Sequence, residues 1–230
     1  MHRVSPNKRG AARLPVHARR GKDLRPQRIV LRKPAVGVFD LSILSLGLLI
    51  HMFALPYSFK NLVIDSVVRF AQLAFGAAIL ASLKPTALLP NASCLIAGAG
   101  VGLAFFLFQL VWNRGLFRSP FSVTRRFVAS QLVILLFQVP SEELFYRGVF
   151  FTVLASIWGP FTALVISTAL STMIAVVSSR RQVLWLGAGL LGIFCCLAFY
   201  WTQSIWAPVL IHVLNDFGYV TLGEKRNLFQ

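Results

Sequence analysis

Seven apolar runs dominate the chain, at about 36–56, 62–83, 93–112, 127–154, 160–178, 183–199 and 204–222. Each approaches the roughly 20 residues that a helix rising about 1.5 Å per residue needs to cross hydrocarbon. A bilayer core offers no water to backbone N–H and C=O groups, so runs of this kind are stable there as helices. The composition agrees: 57% of the 230 residues are hydrophobic and the mean hydropathy is +0.71, against roughly 45–50% apolar in soluble domains. The expected fold is therefore all-α, a polytopic transmembrane helical bundle of about seven spans. It would be a multi-pass integral protein of a plasma or organelle membrane.

The formal charge of +16 is unevenly spread. Residues 1–34 hold 11 of the 23 Lys and Arg, a single acid (Asp23), and prolines at 6, 15, 26 and 34. Such a stretch cannot bury a core and reads as a disordered basic arm, drawn to anionic lipid headgroups or serving as an Arg-rich transit segment. Membrane lipid is thus an expected partner, and no nucleic acid is expected, because no recognition module accompanies the charge. The expected organisation is this arm (1–34), N-terminal transmembrane helices (35–122), motif-bearing helices (123–222) and a short tail (223–230). Cys94, Cys195 and Cys196 form no CxxC pair and read as lipid- or core-facing bulk.

Seven spans would place the loops on two sides. Apart from the arm, one side carries only Lys84; the other carries Lys60, Arg114, Arg118, Arg125, Arg126, Arg180, Arg181, Lys225 and Arg226. The positive-inside rule puts that second side in the cytoplasm or stroma, whereas the arm argues the reverse. Either the arm is cleaved or one early segment does not span. Segment 62–83 is the one expected not to, because Asp65 and Arg69 interrupt its first half; spaced i,i+4, they also read as an intrahelical ion pair facing the bundle.

Residues 140–148, PSEELFYRG, place two of the chain's seven acids side by side inside an apolar span. Unpaired, the three charges Glu142, Glu143 and Arg147 would cost about 7–10 kcal/mol at mid-bilayer. Glu143 and Arg147 share a helix face at i,i+4, while Glu142 points about 100° away. Arg147 can therefore neutralise Glu143 and leave Glu142 to another neighbour. A plain ion pair locking two helices would need only one of the two glutamates.

A second polar cluster lies in APVLIHVLNDFGYV, residues 207–220, where His212 and Asp216 stack at i,i+4 beside Asn215. A carboxylate one turn away can fix the tautomer and orientation of an imidazole or help hold a metal. Counted from helix starts near 126 and 204, Glu142 lies about 24 Å into its span and His212 about 12 Å into an oppositely directed one. In a roughly 30 Å core their levels differ by about 6 Å. A buried carboxylate meeting an imidazole is a hydrolytic arrangement, in which the carboxylate serves as general base on water.

Glu142-Glu143-x-x-x-Arg147, followed by His212-x-x-x-Asp216, resembles the CPBP family of intramembrane metalloproteases, which includes type II CAAX prenyl proteases and bacteriocin-processing (Abi-like) enzymes. The resemblance covers about residues 125–222. It implies an all-helical intramembrane endopeptidase that cleaves a membrane-bound peptide or prenylated protein C-terminus. Glu142, Glu143, Arg147, His212 and Asp216 would be its catalytic residues. One glutamate would activate water, His212 would bind or polarise the attacked carbonyl, and the second glutamate with Arg147 would order the site. A divalent metal such as zinc is an open cofactor, with Glu142, His212 and Asp216 as candidate ligands.

One part of the family pattern is absent. Its middle motif, FxxxH, falls in 160–178, which contains no histidine; Ser171 stands where Phe belongs and Ala175 where His belongs. If that histidine is an oxyanion donor, its loss costs about 100- to 1,000-fold in rate. His51 is the other histidine in an apolar span that could substitute. The alternatives are a catalytically inactive pseudoprotease that binds or scaffolds, and a transporter whose buried carboxylates relay protons. There is no HExxH or GxSxG sequence to support another hydrolase class.

Overall fold

The computed structural model describes Ser42 and residues 62–112, 125–178 and 182–218. These residues all fall in one compact unit, Lys33–Gln230. The basic arm, the tail, His51 and all of the run 36–56 except Ser42 lie outside the described residues.

All regular structure among the described residues is helical. Helix α1 spans Leu62–Leu83, α2 spans Ala92–Trp112, and a continuous helix α3 runs from Arg125 to Trp158. Helices α4 (Pro160–Ser178), α5 (Gln182–Thr202) and α6 (Trp206–Asp216) follow. Four stretches are long and apolar enough to cross a membrane: Val63–Leu83, Ala92–Val111, Val128–Trp158 and Trp185–Thr202. The α4 region supplies a shorter apolar stretch, Pro160–Met173, and α6 has 11 residues. Against the seven expected spans, four are therefore supported by length and composition among the described residues.

The outward faces of α1, α2 and α5 carry Val63, Ile64, Val67, Leu95, Ile96, Leu103, Val111, Leu186 and Trp201, all exposed. An apolar surface of this extent is suited to lipid.

Local sequence explains where the helices bend and stop. Pro140 sits mid-helix in α3, where it lacks an N–H and its ring would collide with the carbonyl four residues earlier. The helix adopts π geometry at Ile134–Gln138, just before it, and widened turns of this kind accommodate such a mismatch. A second π segment, Leu144–Phe150, carries Arg147. Gly159 at φ 86° separates α3 from α4, whose first residue is Pro160; the glycine permits the positive φ and the proline suits a helix start.

Two close approaches fix the bundle around the motifs. A Cβ on Gly148 of α3 would lie 2.9 Å from Leu80 Cδ2 of α1. On α2, a Cβ on Gly98 would lie 2.9 Å from Leu210 Cβ, and one on Gly102 would lie 2.7 Å from Leu214 Cδ1 and 3.1 Å from Ile211 Cα. Small residues at these positions let α6 lie directly on α2. The start of α6 is pinned to the turn after α1. Ile205 N donates to Ala87 O (2.9 Å), Ser204 Oγ to Leu89 O (2.8 Å) and Trp206 Nε1 to Leu88 O (2.8 Å).

Candidate active site

The two polar motifs meet inside the bundle. Glu143 is fully buried, and its Oε1 accepts a hydrogen bond from Arg147 Nη1 at 3.1 Å. The same oxygen lies 2.6 Å from His212 Nδ1. Glu143 thus joins the long helix α3 to α6, 69 residues away in sequence. On the other side of the imidazole, Nε2 is 3.6 Å from Asp216 Oδ2. That is an ion-pair distance rather than a hydrogen bond, so Nε2 is not committed to Asp216.

Arg147, 3% exposed, also donates from Nη2 to Ser171 Oγ of α4 at 3.2 Å. Room for the guanidinium comes from α5: a Cβ on Gly192 would lie 3.1 Å from Arg147 Nη2. The π segment contributes as well. The Tyr146 carbonyl accepts from Ser167 Oγ at 2.7 Å, which ties α3 to α4 one residue before Arg147.

Glu142 faces elsewhere, as the 100° offset requires. Its Oε1 accepts from Arg69 Nη1 of α1 at 3.2 Å and from Gln138 Nε2 at 3.1 Å. Arg69 in turn pairs through Nε with Asp65 at 3.4 Å, and both are buried, at 1% and 0% exposure. The i,i+4 pair expected from sequence is present and faces the bundle, but it also reaches Glu142. Glu142 is 15% exposed, against 0% for Glu143.

Asp216 is oriented by Asn215, whose Nδ2 donates to Asp216 Oδ1 at 3.0 Å. Asn215 Oδ1 accepts from Gln109 Nε2 of α2, also at 3.0 Å. The cluster therefore draws on α1, α2, α3, α4 and α6. Four carboxylates (Asp65, Glu142, Glu143 and Asp216) sit with two guanidiniums (Arg69 and Arg147), and His212 is the remaining group able to carry positive charge.

All five residues singled out in the sequence, Glu142, Glu143, Arg147, His212 and Asp216, lie in this cluster. The depth estimate brought Glu142 to the level of His212, but the carboxylate that meets the imidazole is Glu143. The reason is rotational: Glu143 shares a face with Arg147 and that face points at α6, while Glu142 points at α1.

As metal ligands, Glu142, His212 and Asp216 do not fit. Glu142 is turned to Arg69, His212 uses Nδ1 on Glu143, and no group of three or more His, Cys, Asp or Glu able to hold a metal is found among the described residues. A zinc site needs three or four converging donors, which this set does not supply. Cys94, Cys195 and Cys196 are buried and free.

Arg69, Gln138, Ser171 and Gln109 were not assigned to a site from sequence. A signal for Arg69 was present: together with Arg147 it is one of two cations that fall inside the seven apolar runs. Two adjacent glutamates with one arginine leave a carboxylate needing a partner.

Residues 124–218 match the sequence model of the family described as Type II CAAX prenyl endopeptidase Rce1-like. The match spans both motifs and bears out the resemblance drawn from them; at family level it supports a CAAX-protease-type membrane protein. No curated protein and no solved structure matches the chain.

Proposed function

We propose that the protein is an intramembrane endopeptidase of the CAAX type, in which Glu142 is the general base and the Glu143–Arg147 pair orients His212. The observation that carries this reading is the division of labour between the adjacent glutamates. Glu143 is fully buried, with one oxygen shared between Arg147 and His212. Glu142 is the partly exposed member of the pair.

In this reaction Glu142 takes a proton from water, and the water oxygen attacks the scissile carbonyl carbon. His212, held as the doubly protonated imidazolium between the carboxylates of Glu143 and Asp216, donates from Nε2 to the carbonyl oxygen as negative charge develops there. The C–N bond then breaks, and Glu142 returns its proton to the leaving amine. Burial of the site strengthens each of these electrostatic contacts. The substrate class is a membrane-bound peptide, with prenylated C-termini first in line because of the family match.

Ala175 stands where the family pattern places a histidine, so one donor is missing and turnover is expected to be slow. The same alanine favours a second reading, a binding protein that keeps the polar cluster without turnover. Incubating lipid-reconstituted protein with prenylated CAAX peptides in ¹⁸O-water separates the two. Label in the new carboxyl, lost in Glu142→Gln, is the expected result. Peptide capture without any cleavage would establish the binding reading instead.

A further inference from the structure

We propose that Arg69 is a positioning residue of this site, acting through Glu142, so that helix α1 completes a centre that the family-matched segment contains only in part. The inference rests on the reading of Glu142 as general base. Arg69 lies outside residues 124–218, and sequence spacing assigned it only to its intrahelical partner. Its Nη1 reaches Glu142 Oε1 at 3.2 Å across 73 residues of sequence. A guanidinium binds carboxylates in a fixed, planar geometry, which sets the direction of the carboxylate as well as balancing its charge.

Arg69 is itself held in place. Asp65, one turn earlier and fully buried, engages Nε at 3.4 Å, and Gln72 Oε1 lies 3.5 Å from Nη1. Gln138 Nε2 donates to the same oxygen of Glu142 from the preceding turn of α3. Oε1 is therefore fixed by two donors from two helices. The carboxylate is aimed by the α1 contact, much as Glu143 is aimed by Arg147. The parallel extends to spacing: Asp65–Arg69 and Glu143–Arg147 are both i,i+4 pairs, and each arginine hands a second contact to another helix. Asp65 and Glu142, both against Arg69, make this corner net negative, so the guanidinium is suited to holding Glu142 rather than to capturing an anionic ligand.

The test uses full-length protein in lipid nanodiscs and removes both charges of α1 together, as Asp65→Asn/Arg69→Gln, so that Asp65 is not left as a second uncompensated acid beside Glu142. Arg69→Lys keeps the cation as a control. Three quantities are measured: kcat and KM on a prenylated peptide, and modification of Glu142 by dicyclohexylcarbodiimide, which attacks buried carboxyl groups in the acid form. The expected result is a fall in kcat of about 10- to 100-fold, with KM changed less than about twofold and substantial recovery in Arg69→Lys. Glu142 becomes labelled in the double variant and stays unlabelled in wild type and Arg69→Lys. Labelling without a fall in kcat, or a fall in kcat without labelling, overturns the proposal. If wild type itself does not cleave, the catalytic reading fails, and labelling alone decides whether Arg69 holds Glu142; no labelling in the double variant overturns that too.

Discussion

Glu143 Oε1 lies 2.6 Å from His212 Nδ1 while accepting a hydrogen bond from Arg147 Nη1 at 3.1 Å. One carboxylate oxygen therefore couples two helices and balances a buried guanidinium. Breaking a buried pair by removing one partner costs about 3–5 kcal/mol, because the remaining charge is left uncompensated. Arg147→Met is expected to lower the unfolding midpoint in detergent sharply. Glu143→Gln/Arg147→Met, which removes both charges, should recover much of that stability. A double variant no more stable than Arg147→Met would show that the pair is not a coupled unit.

Ser171 holds the other arm of Arg147 through a 3.2 Å hydrogen bond. Hydrogen bonds to charged groups contribute about 1.5–3 kcal/mol. Ser171→Ala is expected to destabilise by an amount in that range, and Ser171→Thr by less. Chemical denaturation in mixed micelles measures the difference.

The approach of α6 to α2 depends on Gly98 and Gly102. A Cβ at 102 would meet Leu214 Cδ1 at 2.7 Å and the Ile211 backbone at 3.1 Å. The side-chain tip can move, but the Cα cannot move without shifting α6. Gly102→Val is expected to cost about 1–3 kcal/mol and to displace His212. Activity should fall more than stability alone accounts for, measured as cleavage rate at a temperature where the variant remains folded. Gly100, with nothing within 4 Å of a Cβ, is the control position.

On the proposed reading, Ala175 of α4 stands where the family's middle histidine would fall. If the natural chain lacks an oxyanion donor there, Ala175→His is expected to raise the cleavage rate by about 100- to 1,000-fold. The comparison is of initial rates on one prenylated peptide at matched protein concentration. No gain would mean that the position does not face the reacting carbonyl in this chain.

Much of this site was legible in the sequence because charges in apolar spans are expensive and conspicuous. Glu142, Glu143, Arg147, His212 and Asp216 were found by that cost and by i,i+4 spacing, and the structure gathers all five. Helix limits for 62–83 and 160–178 coincide with the apolar runs. The fourth run, 127–154, continues as helix to Trp158, since no breaker lies between Leu154 and Gly159. What sequence could not give was rotation. Depth along a helix axis follows from counting residues, but which glutamate meets His212 depends on how α3 turns against α6, and two π segments alter that turn. The Arg69–Glu142 contact was hidden for a related reason: Arg69 had a satisfactory local partner in Asp65, which masked its second one across the bundle.

The central claim is that Glu142 acts on water while Glu143 only orients. Single-turnover cleavage of a prenylated peptide by reconstituted wild type, Glu142→Gln and Glu143→Gln, with unfolding midpoints recorded alongside, tests it most directly. The expected result is a rate loss for Glu142→Gln of about 100-fold or more, within the range attributed to general acid–base catalysis, at a near-native midpoint. Glu143→Gln should lose both rate and stability. Wild-type cleavage rates from Glu142→Gln would contradict the account.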